Sequence, residues 1–198
     1  METIGIPLAS IPVVIIVTGS PGTGKTTLSN SIAEALSLPL LHRDGLQEVL
    51  YDTLGFGDTE RSHAYGVAGY GLLYLILEAL LKARVSCIIE SNFISRYASP
   101  TLRDLQERYD FRICQIVCRT EPAVLLQRRK DRVASGTRHP GHCDEEAIAD
   151  FDPARTATDS LPLELSGSVI ELDTTDFVAL DYGALIARLQ EIIGKDTH

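Results

Sequence analysis

Residues 11–27 read IPVVIIVTGSPGTGKTT, and this stretch decides the fold of the chain. Its second half, GSPGTGKT at positions 19–26, satisfies the phosphate-binding pattern G-x-x-x-x-G-K-[ST] at every position. The β-branched run before the loop has the composition of a buried strand, and the apolar spacing after it is typical of an amphipathic helix. A strand that ends in such a loop and continues as a helix predicts a nucleotide-binding P-loop.

Every position of this loop has a predicted part in binding a nucleoside triphosphate. The glycines let the backbone turn so that consecutive N–H groups surround the β-phosphate at the positive end of the following helix. Lys25 is expected to bridge the β- and γ-phosphates, and the hydroxyl of Thr26 is placed to bind Mg²⁺. The predicted nucleotide contacts here are Gly19, Ser20, Pro21, Gly22, Thr23, Gly24, Lys25, Thr26 and Thr27.

The size and charge of the chain narrow the function classes. Its 198 residues with 44% hydrophobic content predict one α/β domain spanning 1–198. A net charge of −9 argues against a general affinity for duplex nucleic acid or acidic membranes, because the field of the protein repels both. Glu2 stands where a secretory signal would carry basic residues, and the apolar segment 67–83 falls short of a membrane span, so we expect a cytoplasmic protein.

The four cysteines are scattered along the chain. Three of them, Cys87, Cys114 and Cys118, lie in apolar, strand-like surroundings, where buried free thiols are common. We therefore expect core residues and no disulfides.

Polar residues follow the second predicted strand, 37–42. In an open parallel sheet, ligands gather beyond the carboxyl ends of the strands, so Arg43 and Asp44 should face the same crevice as the P-loop. Asp44 could accept a proton from an attacking hydroxyl, and Arg43 could bind a polar or anionic part of the acceptor. The alternative is that Asp44 merely caps a helix that begins at Gly45.

The third predicted strand, 85–90, ends in a carboxylate. Glu90 stands where acids beside a P-loop hold Mg²⁺, usually through water, so Thr26 and Glu90 form the predicted metal site. Glu90 could instead orient the acceptor or pair with Arg43. Asn92, two residues on, offers an amide to the acceptor at the same rim.

The charge balance inverts between residues 119 and 138, a segment that contains six basic residues and only two acidic ones in an otherwise acidic chain. Arg128 and Arg132 are four apart and share one helical face, from which we expect them to stabilise the charge of the transferred phosphoryl group. The glycine-bracketed segment that follows predicts a mobile lid over about 128–144. Arg138 and His139 in this lid are predicted to contact the substrate.

The remaining segments complete an alternation of strands and helices. We predict helices over 62–84, 100–109 and 177–193, strands over 111–118 and 168–172, and a loop over 51–61. Aromatic residues in and near that loop, Tyr51, Phe56 and Tyr65, could stack on a substrate, although packing is the more common use of such residues. Thr174 and Thr175, after the last strand, are candidate contacts for the nucleobase.

Taken in order, the P-loop, Asp44, the rim at Glu90, the Arg128 and Arg132 helix and the threonine turn resemble the P-loop kinases with an adenylate-kinase-like core. That group includes zeta-toxin-like, polynucleotide-kinase-like and chloramphenicol-phosphotransferase-like proteins. The resemblance implies a three-layer α/β sandwich in which a five-stranded parallel sheet, ordered 2-3-1-4-5, lies between helices. It also implies that Asp44 is the base for the acceptor hydroxyl, and that Arg128 and Arg132 bind donor phosphates.

The residues and the resemblance together predict a Mg²⁺-dependent kinase that uses ATP or GTP and acts on a hydroxyl of a small molecule. The group includes antibiotic-resistance enzymes, so the acceptor could be a nucleoside-type antibiotic such as capuramycin. A kinase for polynucleotide 5′-hydroxyls, nucleosides or sugars is an alternative, although the net charge makes nucleic acid an improbable partner. A regulatory nucleotide switch is an alternative of another class, which the lack of an N-K-x-D guanine signature disfavours. The acceptor, the choice between ATP and GTP, and the oligomeric state stay open at this stage.

Overall fold

The strands of the protein form one parallel sheet. The computed structural model describes residues 11–143, 148, 151–153, 156 and 161–194. Within them, five strands pair in the order β2-β3-β1-β4-β5, which confirms the predicted fold. The strands are β1 (Val13–Thr18), β2 (Leu40–His42), β3 (Cys87–Glu90), β4 (Arg112–Arg119) and β5 (Ser168–Asp173).

Helices cover both faces of this sheet. They are α1 (Lys25–Leu36), α2 (Arg43–Leu54), α3 (Thr59–Lys82), α4 (Ser95–Arg108), α5 (Pro122–Ser135) and α6 (Tyr182–Gly194), with short 3₁₀ turns at Pro140–His142 and Phe177–Ala179. Successive residues of β1 alternate between two cores, because side chains along a strand point to opposite faces. Val14 and Ile16 pack with α3 and α4 on one face, and Ile15 and Val17 pack with α1 and α6 on the other.

The register of the sheet brings the functional strand ends together. Val17 on β1 is opposite Glu90 on β3, and Glu90 is opposite His42, the last residue of β2. Because the strands are parallel, the P-loop and Arg43 then leave the sheet at the same edge. This is the edge where the sequence predicts the site.

Two predicted boundaries around α2 and α3 are wrong. The predicted loop over 51–61 shrinks to 55–58, because α2 continues to Leu54 and α3 begins at Thr59. The side chain of Asp58 accepts a hydrogen bond from the N–H of Arg61 at 2.8 Å and caps α3. The helix therefore begins at Thr59, three residues before the predicted start at 62. Gly55, with φ of 83°, ends α2.

The predicted bounds of α4 and α6 also need correction. The helix predicted over 100–109 begins at Ser95, because Ala98 extends the buried face of Leu102 and Leu105, and Pro100 lies inside the helix. The helix predicted over 177–193 is a 3₁₀ turn followed by α6. Here the side chain of Asp181 accepts from the N–H of Ala184 at 2.9 Å and sets the later start.

Helix α3 is longer than the segment 67–83, which by its sequence falls short of a convincing membrane span. With 24 residues and a window of mean hydropathy 1.6, it is the one helix in the described ranges that is long and apolar enough to cross a membrane. The core helix of a soluble protein passes the same test, so this is weak evidence. Leu73, Leu77 and Leu81 of α3 lie in the core, and 22% of the apolar window is buried.

The cysteines behave as expected from their surroundings. All four are free, and the three in strands are buried. Burial raises the pKa of Cys87 and Cys118 to about 12 and that of Cys114 to about 11, since a thiolate is poorly solvated in the core. These thiols are therefore structural.

We predict that Leu77→Ala lowers the free energy of unfolding by about 2–5 kcal/mol, because it leaves a cavity among fully buried side chains. Leu75→Ala on the same helix is the matched control, since Leu75 is 65% exposed and its truncation should cost less than about 0.5 kcal/mol. Urea unfolding measures both. Equal losses in the two variants would contradict the packing of α3 on the sheet.

Candidate active site

The P-loop keeps its shape through glycines that have no room for a side chain. Gly24 adopts φ of 81° just before α1, and a Cβ added there would stand 2.0 Å from Cζ of Phe177. Gly19 adopts φ of 141°, and its added Cβ would stand 2.4 Å from the carbonyl oxygen of Cys118. The hydroxyl of Thr23 donates to the carbonyl of Ser20 at 2.9 Å and closes the loop. Both glycines are thus required by sterics as well as by the phosphate pattern.

Lys25 lies at the base of this loop, 7% exposed, and its ammonium donates to the carbonyl of Ser20 at 3.0 Å. Burial lowers the pKa of Lys25 from its ordinary value, and the carboxylates of Glu90 and Asp44 oppose that shift, while Arg132 adds to it. The lysine therefore lies within electrostatic range of both predicted acids and of one predicted arginine.

The predicted metal ligands meet beside Lys25. The hydroxyl of Thr26 donates to Oε2 of Glu90 at 3.3 Å, and Glu90 is 4% exposed. The same carboxylate oxygen lies 2.9 Å from Nδ1 of His42, a partner that the sequence analysis passed over. A hydroxyl and a carboxylate at the rim of a phosphate loop match the oxygen ligands that Mg²⁺ prefers, so the residues present fit this metal.

Asp44 lies between two guanidinium groups. Its Oδ1 is 3.0 Å from Nη2 of Arg43, and its Oδ2 is 2.8 Å from Nη2 of Arg138. Burial alone would raise the pKa of Asp44, but the two guanidiniums outweigh it and hold that pKa well below its usual range. Asp44 does not cap α2, whose N-cap residue is His42, so the capping alternative is wrong.

Arg43 organises the floor of the site. It donates to Oδ1 of Asn92 at 3.2 Å and to the side chain of Gln47, and its guanidinium carbon lies 5.2 Å from the ring centre of Tyr70. It pairs with Asp44, whereas Glu90 pairs with His42, so the predicted Arg43–Glu90 alternative is wrong. A Cβ at Gly69 of α3 would stand 3.3 Å from Cδ of Arg43, so this glycine gives the arginine its space.

The two predicted arginines of α5 occupy different places. Arg128 donates to the carbonyls of Thr174 and Thr175 at 2.9 Å each and lies over the ring of Phe177, next to the P-loop glycine. Arg132 acts on the Lys25 side of the site, where its charge lowers the lysine pKa.

Arg129 was missed by the sequence analysis. It is 8% exposed and its Nε donates to the carbonyl of Pro21 in the P-loop at 2.8 Å. Leu125, four residues earlier, is also buried, so the two share the inner face of α5. The four-residue spacing from Leu125 to Arg129 was the sequence signal that could have placed Arg129 on the buried face of α5.

The predicted lid segment rests on α2. Arg138 pairs with Asp44, the His139 ring stacks on Tyr51 at 4.9 Å, and His142 lies 2.9 Å from Oε1 of Glu48. His139 packs between Tyr51 and Phe56 and does not line the large cavity, whereas His142 does. Residue 144, at the end of the predicted lid, lies outside the described residues.

A cavity of about 1020 Å³ opens beside these groups. Ser20 and Pro21 of the P-loop line it, together with Arg43, Asn92 and Arg138. Tyr51, Phe56 and Tyr65 do not, and the tilted ring contact between Tyr51 and Tyr65, with centres 5.7 Å apart, favours the packing interpretation. The aromatic lining comes instead from Tyr70, Tyr74, Tyr97 and Phe151, of which the first two are four apart on α3, a spacing visible in the sequence.

A second cavity, of about 440 Å³, lies at the turn after β5, where the sequence places the nucleobase. Thr175 lines it. The side chain of Thr174 is fully buried, and its hydroxyl donates to the carbonyl of Arg119 at 2.8 Å. Only one of the two predicted threonines therefore faces open space.

Comparison with known proteins agrees with this architecture. The family AAA_33, described as an AAA domain, matches residues 14–157. A solved structure from Chloroflexus aurantiacus J-10-fl, provisionally named a kinase, is 37% identical, with 91% of this chain and 97% of that chain covered and a TM-score of 0.82. No curated protein matches the sequence.

More distant structures share the fold alone. A gluconokinase from Sinorhizobium meliloti 1021 is 17% identical, with 96% of this chain and 99% of that one covered and a TM-score of 0.55. In the Pnkp1/Rnl/Hen1 RNA repair complex, a chain is 21% identical, with 76% of this chain and 49% of that one covered and a TM-score of 0.51.

The pairing of Asp44 with two arginines predicts a pH-dependent stability. Because its folded-state pKa is depressed, the carboxylate stabilises the fold in full above about pH 5 and loses that contribution as acid protonates first the unfolded chain and then the folded one. We expect the wild type to exceed Asp44→Asn in unfolding free energy by a constant amount near neutrality and by less below about pH 4. Urea titrations from pH 3 to 8 measure this, and a difference that does not change with pH would contradict the pairing.

Proposed function

The chain belongs to the AAA domain family AAA_33, and on that premise we propose that it transfers the γ-phosphoryl group of ATP or GTP to a hydroxyl of a small molecule, with Mg²⁺. One observation carries the proposal. Glu90 lies opposite both Val17, which leads into the P-loop, and His42, which leads into Asp44, and its Oε2 accepts from the hydroxyl of Thr26 at 3.3 Å. A phosphate cradle, a metal-type acid and a proton acceptor at one edge are the parts that phosphoryl transfer requires.

On the donor side, Lys25 and Arg132 would neutralise the charge that develops on the transferred phosphoryl group. Arg128 would act at the nucleobase end, because it is anchored to the carbonyls of Thr174 and Thr175. Thr26 and Glu90 would hold Mg²⁺, which neutralises phosphate charge when bound. His42 positions the Glu90 carboxylate through their 2.9 Å contact.

On the acceptor side, Asp44 would take the proton from the acceptor hydroxyl as its oxygen bonds to phosphorus and the nucleoside diphosphate leaves. Both oxygens of Asp44 are paired with arginines, so the hydroxyl must share or displace one of them. Arg43 is fixed by Asn92 and Gln47, so Arg138, which belongs to the predicted lid segment, is the partner that we expect the hydroxyl to displace. Lid movement would thus expose the base and bring a cation towards the phosphates.

The acceptor itself is a finer proposal. A nucleoside-type antibiotic stays a candidate, which would make the enzyme a resistance factor, and sugars and nucleosides are the alternatives. A regulatory nucleotide switch has no evident use for a carboxylate positioned by two arginines beside an open cavity of about 1020 Å³. The lid at about 128–144, a single domain over 1–198 and a cytoplasmic location remain predictions.

We predict that Asp44→Asn lowers the rate of acceptor phosphorylation by about 10²–10⁴-fold while nucleotide affinity stays within a few-fold of the wild type, because the amide cannot accept the proton. Asp104→Asn on α4 is the matched control, since it also removes a carboxylate paired with an arginine, but Asp104 is 62% exposed and lies outside the cavity lining. Product formation by mass spectrometry and nucleotide binding by calorimetry measure the two effects. Parallel loss of both would refute the assignment of Asp44 as base.

We also predict that nucleoside diphosphate release with Mg²⁺ rises when the correct hydroxyl acceptor is added, and that the acceptor gains the mass of a phosphate. The screen pairs ATP or GTP with nucleoside antibiotics, chloramphenicol, aminoglycosides, sugars, nucleosides and a 5′-hydroxyl oligonucleotide. Lys25→Ala serves as the catalytically inactive control. Release that is independent of every acceptor, and that survives Asp44→Asn, would favour the nucleotide switch instead.

A further inference from the structure

The large cavity extends beyond the proposed catalytic groups along helix α3. The residues of α3 that line it are separated by about one helical turn or are adjacent within it, so they form one face: Thr59, Ser62, His63, Gly66, Val67, Tyr70 and Tyr74. The start of α4 lines the same cavity with Ile94, Tyr97 and Ala98. None of these side chains has a part in the phosphoryl transfer proposed above.

We propose that Val67, Tyr70, Tyr74 and Tyr97, here called the tyrosine wall, bind a flat aromatic or heteroaromatic ring carried by the acceptor. The inference rests on the proposed phosphotransfer for the identity of the ligand as acceptor. It adds the chemical class of that acceptor, a hydroxyl compound with a planar ring. The ring would lie against the wall while the hydroxyl reaches Asp44.

The wall begins next to the acceptor-binding groups and is held rigidly there. The hydroxyl of Tyr70 lies 2.8 Å from Oγ of Ser91 and donates to the carbonyl of Asn92 at 3.3 Å. The guanidinium of Arg43, which pairs with Asp44, lies over the same ring. A ring bound against this wall is therefore near the proposed base.

The wall offers aromatic and apolar surface of a kind that folding usually buries. Tyr74 stacks on Tyr70 with ring centres 6.3 Å apart and planes at 25°. Val67 is 61% exposed and Tyr97 is 64% exposed, although both are large and apolar. Exposed apolar residues that line a cavity are typical of a ligand-binding surface. Tyrosine rings bind other planar rings by offset or edge contacts.

Charge and volume argue against a small sugar acid in this part of the cavity. Each of the three arginines of the lining already has a polar partner: Arg43 and Arg138 have Asp44, and Arg129 has the carbonyl of Pro21. The volume of about 1020 Å³ lies at the top of the range of about 300–1,000 Å³ for pockets that hold drug-sized ligands. A ring-bearing acceptor fits this volume and this lining better than a compact anion does.

The experiment measures binding separately from catalysis. The full chain is loaded with Mg²⁺ and a non-hydrolysable triphosphate, adenylyl or guanylyl imidodiphosphate, so that probes cannot occupy the donor site. Two matched probe pairs, uridine with D-ribose and 2-phenylethanol with 1-butanol, are compared by saturation-transfer NMR and titration. We expect the ring-bearing member of each pair to bind about tenfold more tightly, with saturation concentrated on its ring protons.

Variants then locate the ring. Tyr97→Ala and Val67→Ser should each weaken the ring-bearing probes several-fold, because the ring loses its contact surface. Phe56→Ala, at 49% exposed, and Leu75→Ser, at 65% exposed, remove comparable surface outside the cavity lining and should leave binding unchanged. Since all four positions are exposed, the variants are expected to fold.

Equal affinities within the probe pairs, no detectable binding of any ring-bearing probe, or loss of binding in the control variants would each overturn the proposal. Ring binding that is sensitive to Tyr97 in a protein that phosphorylates no acceptor would leave the tyrosine wall standing and remove the proposed function. Rapid phosphorylation of a ring-free acceptor, unaffected by Tyr97→Ala, would support the proposed function and overturn the tyrosine wall as the acceptor site.

Discussion

The lateral alignment of three parallel strand ends is the constraint on which the site depends. Glu90 is opposite both Val17 and His42, so β1, β3 and β2 reach the same edge within a residue of one another. The P-loop leaves β1 there and Arg43 with Asp44 leaves β2 there. A slip of one residue in any of these pairings would turn the side chains to the opposite face and separate the carboxylates from Lys25.

Charge compensation makes this crowded edge possible. Lys25 is nearly buried and sits among the charges of Glu90, Asp44 and Arg132, and Asp44 carries a guanidinium on each oxygen. Burying any one of these ions without a partner would cost several kcal/mol. The pairs offset that cost, and one of them joins Asp44 to Arg138 of the predicted lid segment.

Helix α3 connects the core to the acceptor cavity. Its inward leucines, such as Leu73 and Leu77, pack on the sheet, and Gly69 lets Arg43 approach the helix closely. Gln47 joins this contact by donating to the carbonyl of Ser62 at 2.8 Å, which fixes α2 against α3. The same helix then presents Tyr70 and its neighbours to the cavity. Under the proposed function, this one helix would support both the positioning of Arg43 and the selection of the acceptor.

The sequence by itself determined the local chemistry. The P-loop pattern, the apolar strands and the carboxylates at Asp44 and Glu90 follow from residue types and spacings within single segments. The sheet order was implied only by the resemblance to P-loop kinases, and the fold confirms it. Helix boundaries were harder to predict from the sequence. A cap such as Asp58 is a single aspartate, and aspartates are also common in loops that precede no helix. Local sequence signals predict whether a segment is a helix or a strand better than they predict the residue at which it ends.

Only the tertiary structure decided which side chains meet. It placed Arg138 on Asp44, anchored Arg128 to the carbonyl of Thr174, buried Thr174 and turned Arg129 onto the P-loop. Each of these results joins residues far apart in sequence or depends on which face of an element is covered. Contact between distant segments is set by the packing of the whole core, so no spacing within a segment could reveal it.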